Sequence, residues 1–163
     1  MNAFRRAFYL LVGRIGTAPL FASVHSGLYR ALGGRLVGRL LGTRIVLLTT
    51  LGRKSGSPRT TPLIGIPDGD RLLVVASNAG KDRAPDWYLN LRARPDVSVQ
   101  VGRRIRPMRA RVAAGRELDP LWRHAIRAYP GYAVYRETAR RDIPLVVLEP
   151  RDTGPAPSVT LTS

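Results

Sequence analysis

A chain of 163 residues, 44% of them hydrophobic, is long enough for one domain with a substantial core. The chain contains no cysteine, which excludes disulfides and thiolate metal ligands, and two histidines are too few for a convincing zinc site, so no metal is predicted. The formal net charge of +16 predicts an anionic partner, namely nucleic acid, an anionic membrane surface or an acidic small molecule.

The N-terminal segment, residues 1–40, is predicted to be helical. Phe4, Phe8 and Leu11 recur at helical spacing beside an Arg-Arg pair, which is typical of an amphipathic helix with a basic side. Such a helix packs on its own domain or lies in the interface of an anionic membrane, and the sequence leaves both open. No apolar run approaches the roughly 20 residues that span a bilayer. We therefore expect a cytoplasmic protein, with peripheral contact at the inner face of the cell membrane as the open alternative.

From Arg44 onward the apolar pattern changes to that of β-strands. Runs of Val, Ile and Leu, bounded by Gly and Pro, predict six strands. They cover residues 44–50, 59–66, 71–77, 97–101, 104–113 and 143–148. The fifth strand contains Pro107, which predicts an edge position or a bulge, because proline cannot donate a ladder hydrogen bond.

Three shorter segments after the third strand have helical patterns. They cover residues 85–93, residues 117–128 and the stretch around 132–135. The predicted fold class is therefore α+β, with a small antiparallel barrel of about six strands over residues 41–150 and helices at its periphery. Residues 151–163 are polar and contain proline, so we expect them to form a disordered tail.

The turn between the first two strands, Gly52 to Pro58, is rich in small and basic residues. It carries Arg53, Lys54 and Ser55, and Arg59 opens the next strand. Small residues let the backbone approach a ligand closely, and successive N–H groups can form an anion-binding concavity. Arg offers a planar fork to phosphate or carboxylate oxygens, and Lys a point charge. The turn is either a cradle for a phosphorylated ligand or a solvated basic hairpin, and the pattern alone leaves both open.

Several motifs occur in a fixed order along the chain. They are Leu48-Thr49-Thr50-Leu51-Gly52-Arg53-Lys54-Ser55-Gly56, Pro58-Arg59, Ser77, Pro85-x-Trp87-Tyr88-Leu89-Asn90-Leu91, Tyr129-Pro130-x-Tyr132-x-x-Tyr135, Ile143-Pro144 and Leu148-Glu149-Pro150. The ordered set resembles the deazaflavin-dependent nitroreductase family, split β-barrel quinone reductases that use coenzyme F420, over about residues 40–150. The resemblance implies a split β-barrel oxidoreductase that transfers a hydride from reduced F420 to a quinone-like or nitroaromatic acceptor.

The resemblance also implies a set of cofactor-binding residues. The cofactor of that family carries a phosphodiester and an oligoglutamate tail, and Lys54 and Arg59 match positions that contact them. The same loop is supported by Arg53, Ser55 and Gly56. The segment beside the ring is matched by Ser77, Asn78, Ala79 and Gly80. The helix that flanks the cofactor is matched by Trp87 and Asn90, although Trp87 is also consistent with simple packing.

On the substrate side, the resemblance implies that Tyr129, Tyr132 and Tyr135 line the acceptor site, whereas their spacing alone indicates packing of a helix. The hydroxyls of Ser77, Tyr132 and Tyr135 are the expected catalytic groups, since each can donate a hydrogen bond to the acceptor. Ile64 stands where the nitroreductase prototype has a tyrosine, and this departure leaves nitroimidazole reduction open.

Three alternatives remain. A related barrel enzyme could use flavin mononucleotide, whose phosphate would also suit a basic loop. A nucleic-acid-binding module would suit the charge and the basic strand at 104–111. We disfavour it because no aromatic residues interleave with that strand for base stacking. A non-catalytic protein bound to membranes through its N-terminal helix is the third.

Overall fold

The computed structural model describes residues 7–9, 39–40 and 43–151. Residues 7–9 are helical. Residues 39–40, the end of the predicted N-terminal helical segment, form a strand, so the helical prediction is wrong there. The rest of that segment and the predicted tail from residue 152 lie outside the described residues, so the predictions for them remain predictions. None of the described helices is long and apolar enough to cross a membrane.

The described strands form one antiparallel sheet. Its members are β1 (Arg39–Leu40), β2 (Thr43–Leu51), β3 (Pro58–Ile64), β4 (Ile66–Asp68), β5 (Arg71–Val75), β6 (Asp96–Val101), β7 (Arg104–Val112) and β8 (Leu145–Pro150). The strand order is β1-β2-β6-β7-β8-β5-β4, and β3 pairs with β2. The α+β class with an antiparallel sheet is therefore confirmed, with eight strands rather than about six.

The helices of this part of the chain lie where the sequence predicts them, and the third continues three residues beyond its predicted stretch. They are α1 (Asp86–Ala93), α2 (Leu118–Ala128) and α3 (Gly131–Thr138), with short 3-10 turns at Asn78–Gly80 and Gly115–Glu117.

The extra strands arise because the predicted strand over residues 59–66 is divided at Gly65. β3 pairs with β2, whereas β4 turns away and pairs with β5, with Ile66 opposite Leu73. At the break, the Gly65 N–H donates to the carbonyl of Arg44 at 2.9 Å. The residues on either side of the break, Ile64 and Ile66, are both apolar, so the sequence pattern does not show the change of partner. β1 has two residues, too few to show the alternation of apolar and polar residues that is typical of a strand.

Pro107 lies in a strand with partners on both sides, β6 and β8, so the edge prediction is wrong for β7 as a whole. Pairing with β8, however, begins only at Met108, opposite Pro150. Pro107 faces Ser98 on the β6 side, and on the other side its carbonyl accepts the Arg151 N–H at 3.2 Å. Within a strand, the N–H and C=O of one residue point the same way, so the missing N–H faces the side where β8 has ended.

The neighbouring strands β5 and β8 are buried on both faces, since successive side chains alternate across a strand and nearly all of them are buried. One face of β5 supplies Leu72 and Val74 to an interior cluster, and the other supplies Leu73 and Val75 to an outer cluster. A continuous apolar run is the sequence sign of such burial.

The interior cluster is shared by five strands, so the sheet curls around it. It contains Val46, Leu48, Leu72, Val74, Val97, Val99, Met108, Ala110, Val146 and Leu148, together with Trp87, Tyr88 and Leu91 of α1. Helix α1 is therefore part of the barrel core and not simply peripheral. The outer cluster lies under α2 and α3 and includes Tyr129, Tyr132 and Tyr135.

Leu148→Ala tests the interior cluster, since the Leu148 side chain is 0% exposed. Loss of its methyl groups and the cavity left behind should lower the free energy of unfolding by about 2–5 kcal/mol. Ile105→Ala is the matched control, because Ile105 is 66% exposed and should change stability by about 0.5 kcal/mol or less. Urea unfolding of both variants measures this, and equal losses would show that Leu148 is not a core residue.

Candidate active site

The basic turn between β2 and β3 closes on its own backbone. Leu51 pairs with Pro58, and the Gly52 N–H donates to the Ser57 carbonyl at 2.9 Å. The Gly56 N–H donates back to the Gly52 carbonyl at 2.7 Å. Gly56 has a φ of +69°, a left-handed conformation that side chains disfavour, so glycine suits this position.

Helix α1 holds this turn through two polar side chains. The Asn90 Oδ1 accepts the Arg53 N–H at 3.1 Å and the Arg53 Nη1 at 3.2 Å, and the Asn90 Nδ2 donates to the Thr50 hydroxyl at 3.2 Å. The Arg53 guanidinium also donates to Asp86 Oδ1 at 3.2 Å. Asn90 is 5% exposed. The structure thus uses Arg53 and Asn90, both predicted to bind cofactor, to join α1 to the turn.

The remaining cations of the turn face solvent. Lys54 and Arg59 are exposed, and no described carboxylate forms an ion pair with either. Arg94 joins them, since its Nη1 lies 3.5 Å from the point that a Cβ on Gly56 would occupy. Sequence reasoning missed Arg94. No short pattern marks it, because Arg94 follows the end of α1 in an extended conformation and does not continue the helical spacing of Asp86 and Asn90.

The smaller predicted turn residues are also accounted for. Ser55 is exposed, and its hydroxyl accepts the Ser57 N–H at 3.3 Å. Trp87 lies in the interior cluster, edge-on to Tyr88 with ring centroids 6.2 Å apart. The described contacts of Trp87 are therefore packing contacts, as one of the two sequence interpretations allowed.

The loop after β5 has an uncommon backbone. Asn78, Ala79 and Gly80 have φ values of 47°, 55° and 77°, three consecutive left-handed residues. Two of the three are not glycine, and such strained residues persist only where their surroundings fix them. A Cβ on Gly80 would lie 2.6 Å from the Thr138 hydroxyl and 3.5 Å from the Tyr135 Cα, so this loop packs directly on α3.

Ser77 introduces this loop with polar groups that lack partners. Its side chain is 8% exposed. Among the described residues there is no hydrogen-bond partner for the Ser77 hydroxyl, the Ser77 N–H or the Asn78 N–H. Buried polar groups are nearly always paired, so an unpaired group calls for an explanation. A ligand edge with acceptor atoms would satisfy all three donors, and the chemistry of this donor set fits the polar edge of a deazaflavin ring.

The three predicted tyrosines form one buried cluster. Tyr129, Tyr132 and Tyr135 are between 3% and 5% exposed, and their ring centroids are 5.1 to 6.3 Å apart. Burial raises the pKa of each hydroxyl above its ordinary value, because it destabilises the phenolate. Ile64 is half-buried and packs against the outer cluster to which these tyrosines belong, as does Tyr9 from the helical residues 7–9.

Two of the three hydroxyls are used within the protein. The Tyr135 hydroxyl donates to the Tyr9 carbonyl at 2.9 Å and lies 3.2 Å from the Tyr129 hydroxyl. Since Tyr135 has one proton to give, Tyr129 donates to Tyr135. The Tyr132 hydroxyl has no partner among the described residues. Tyr132 therefore differs from its two neighbours in having a free hydrogen bond to make.

A chain of contacts joins the turn to the loop. The Asn78 Nδ2 donates to the Arg83 carbonyl at 2.9 Å, and the Arg83 Nη2 donates to Asp86 Oδ1 at 3.2 Å. Asp86 in turn binds Arg53. The structure thus connects the predicted tail-binding turn, the predicted ring-side loop and, through Gly80, the tyrosine cluster.

A curled antiparallel sheet with these three connected features is the architecture of a split-barrel protein. A family model described as F420H(2)-dependent quinone reductase matches residues 22–150. An F420H(2)-dependent quinone reductase of Mycobacterium tuberculosis strain H37Rv is 38% identical over 132 residues, which are 78% of this chain and 89% of that protein. The chain therefore belongs to the F420H(2)-dependent quinone reductase family.

Solved structures agree with this assignment. The structure of an F420-H2 dependent reductase, FDR-A, matches with a TM-score of 0.60 and 42% identity, covering 64% of this chain and 93% of that one. A second, described as a domain-swapped dimer, matches with a TM-score of 0.61 and 36% identity, covering 76% and 98%. The predicted family and split-barrel fold are confirmed. The flavin mononucleotide alternative finds no support in these matches.

Asn90→Ala tests the joint between α1 and the turn. Removing the amide leaves the Arg53 N–H and the Thr50 hydroxyl without this partner, which should cost about 1–3 kcal/mol and loosen the turn. Hydrogen exchange of residues 52–57 in the cofactor-free protein should become faster. Gln100→Ala is the control, since the Gln100 amide donates to the Gly102 carbonyl in another hairpin. Unchanged exchange in Asn90→Ala would mean that the turn holds its shape without α1.

Proposed function

We propose that this protein transfers a hydride from reduced F420 to a quinone. The observation that carries the proposal is the connection of two exposed turn cations, Lys54 and Arg59, to a loop whose Ser77 and Asn78 donors have no partner among the described residues. Such a pair of sites suits a ligand with an anionic tail at one end and a polar ring at the other. F420 has this form, and the chain belongs to a family described by its use.

In this proposal Lys54, Arg59 and Arg94 bind the phosphodiester and the carboxylates of the tail. Charge-assisted hydrogen bonds to such oxygens are stronger than neutral ones, and Arg offers two parallel donors. Arg53 does not take part directly, because its guanidinium is already bound to Asp86 and Asn90. Its role is to fix the shape of the turn that carries the other cations.

The loop from Ser77 to Gly80 holds the ring. When bound, the reduced deazaflavin supplies the hydride, while the protein orients it and sets its electrostatic surroundings. The Ser77 and Asn78 N–H groups and the Ser77 hydroxyl are fixed donors that can stabilise negative charge on the ring edge. Donors fixed in place before the reaction stabilise charge without having to reorient.

The Tyr132 hydroxyl donates a hydrogen bond to the carbonyl oxygen of the acceptor. Tyr129 and Tyr135 form the wall beside it, and their own hydroxyls stay bound to each other and to the Tyr9 carbonyl. Reduction of a quinone by hydride also consumes a proton, which solvent supplies. Tyr132 keeps its own proton, because burial raises its pKa and so disfavours the phenolate.

Ile64 makes the acceptor wall apolar at one point. It is half-buried against the outer cluster that contains the three tyrosines, and its side chain offers no hydrogen bond. A site without a hydrogen-bonding partner at one position does not select substrates that carry a polar group there. We therefore place quinones ahead of nitroaromatic compounds as acceptors.

Replacing both Lys54 and Arg59 with alanine should weaken F420 binding by about 2–4 kcal/mol, since each charge-assisted contact contributes roughly 1.5–3 kcal/mol and the two are less than additive. The loss should be larger for cofactor with a longer glutamate tail. Fluorescence titration with F420 of different tail lengths measures it.

The control is Arg103→Ala with Arg106→Ala, which removes the same net charge from exposed positions of the β6–β7 hairpin. If both double variants lose affinity equally, only the overall charge matters and the turn has no special role.

Tyr132→Phe should lower kcat/KM for menadione by about tenfold, the value of one hydrogen bond of roughly 1.4 kcal/mol, while F420 affinity is unchanged. The ratio of wild type to variant should stay constant from about pH 6 to 9, because a hydroxyl with a raised pKa keeps its proton throughout this range. Steady-state oxidation of reduced F420 measures both.

Tyr135→Phe separates this role from packing. It removes the bond to the Tyr9 carbonyl and should lower the melting temperature more than the rate. A Tyr132→Phe variant as active as the wild type would show that the Tyr132 hydroxyl does not contact the acceptor.

A further inference from the structure

Arg141 lies in the connection between α3 and β8, and its guanidinium binds four backbone carbonyls. Its Nη2 donates to Ala76 at 2.9 Å and to Ser77 at 3.1 Å. Its Nε donates to Lys81 at 3.1 Å, and its Nη1 donates to Asp142 at 3.1 Å. Three of these carbonyls belong to the start and the end of the loop that holds the left-handed residues. One side chain thus spans this loop from end to end.

No carboxylate of the described residues forms an ion pair with Arg141. Burial lowers its pKa from the ordinary value, and the nearby charge of Asp82 partly opposes this. A half-buried cation is therefore held mainly by peptide dipoles. Asp82 reinforces the same connection, since its Oδ1 accepts the Arg140 N–H at 2.8 Å.

The direction of the peptide units decides what this arrangement does. All peptide bonds described are trans, so the C=O and N–H of one unit point in opposite directions. The carbonyls of Ala76 and Ser77 point at Arg141. The N–H groups of the same two units belong to Ser77 and Asn78, and they point away from it. These are the two N–H groups that lack partners among the described residues.

The cation also acts on these donors electrically. A positive charge at the carbonyl end polarises each peptide unit and makes its N–H a stronger donor, an effect that grows in a poorly solvated site. Lysine could not do the same, because a planar guanidinium offers five donors in a fixed geometry whereas an ammonium offers a point charge.

We propose that Arg141 is a positioning residue for the reaction: it clamps the Ala76–Lys81 loop from behind and so aims the Ser77 and Asn78 N–H groups at the deazaflavin ring. The proposal rests on the proposed function for the identity of the ring, and on the hydrogen bonds alone for the clamp. It assigns no contact between Arg141 and cofactor or acceptor.

The first arm of the test is hydrogen exchange on the cofactor-free, full-length protein. Arg141→Ala should speed exchange of the Gly80 and Lys81 amides, which donate to the Ser77 and Asn78 carbonyls within the loop, by tenfold or more. Arg140→Ala is the matched control, because it removes the same charge from the neighbouring position, while the Arg140 contact to Asp82 uses only its backbone N–H. Exchange that is equally fast in both variants, or unchanged in Arg141→Ala, would overturn the clamp.

The second arm is binding of a deazaflavin without the tail, compared with complete F420. Arg141→Ala should lose tenfold or more in affinity for both compounds. The ratio of the affinity for complete F420 to that for the tailless deazaflavin should therefore stay the same. Lys54→Ala should lower the affinity for complete F420 and leave the affinity for the tailless deazaflavin unchanged. Arg141→Lys should remain impaired, and ethylguanidinium at millimolar concentration should restore part of the ring affinity of Arg141→Ala, which no loss of fold would allow.

Unchanged ring affinity in Arg141→Ala, or a loss confined to the tail, would overturn the positioning role while leaving the proposed function intact. A wild-type protein that binds neither deazaflavin would refute the proposed function and with it the role of Arg141 in the reaction. The exchange arm would still decide the clamp in that case, since it uses no cofactor. Circular dichroism of Arg141→Ala and Arg141→Lys identifies a variant that has failed to fold.

Discussion

The hydrogen bonds between Asn90 and the β2–β3 turn are the constraint on which the site depends. Helix α1 contributes Trp87, Tyr88 and Leu91 to the barrel interior, so its position is fixed by packing. Asn90 transfers that fixed position to the turn through the Arg53 N–H. A buried amide whose oxygen and nitrogen are both bound specifies one geometry, because any shift would leave a polar group unpaired in a dry environment. The turn is thereby held by the core and not by its own short backbone alone.

The same principle governs the ring-side loop. Consecutive left-handed residues are costly unless several contacts fix them, and here the contacts come from the far end of the chain. The connection after α3 binds the loop through Arg141, and α3 itself packs on Gly80. Each part of the site is thus anchored by an element that is distant in sequence. A change in the backbone of the β2–β3 turn or of the ring-side loop would therefore disturb contacts with elements that are packed on the core.

Local patterns predicted much of the fold, because the alternation of apolar and polar residues and the residues typical of turns can be recognised within short stretches of sequence. They could not show that the strand over residues 59–66 changes partner at Gly65, or that the strand of Pro107 has neighbours on both sides, since both facts concern pairing with remote strands. The structure connects the turn, the loop and the tyrosine cluster that the motifs pointed to, but sequence could not separate Arg53, which is bound within the protein, from the exposed Lys54 beside it. Arg94 and Arg141 lie outside the quoted motifs, and only three-dimensional contact reveals them.

Net charge shows why such separation matters. A formal charge of +16 says little about any one site, because basic residues are spread along the whole chain. The acidic residues decide which cations remain available. Asp86 binds Arg53 and Arg83, Asp96 binds Arg109 and Arg151, and Glu117 and Glu149 both bind Arg111.

These partly exposed ion pairs contribute little to stability. Their effect is on the local field: they neutralise the surroundings of α1, of the β6–β7 ladder and of the start of α2. No described carboxylate is paired with Lys54, Arg59 or Arg94. The positive potential around these three residues therefore persists and can attract an anionic ligand.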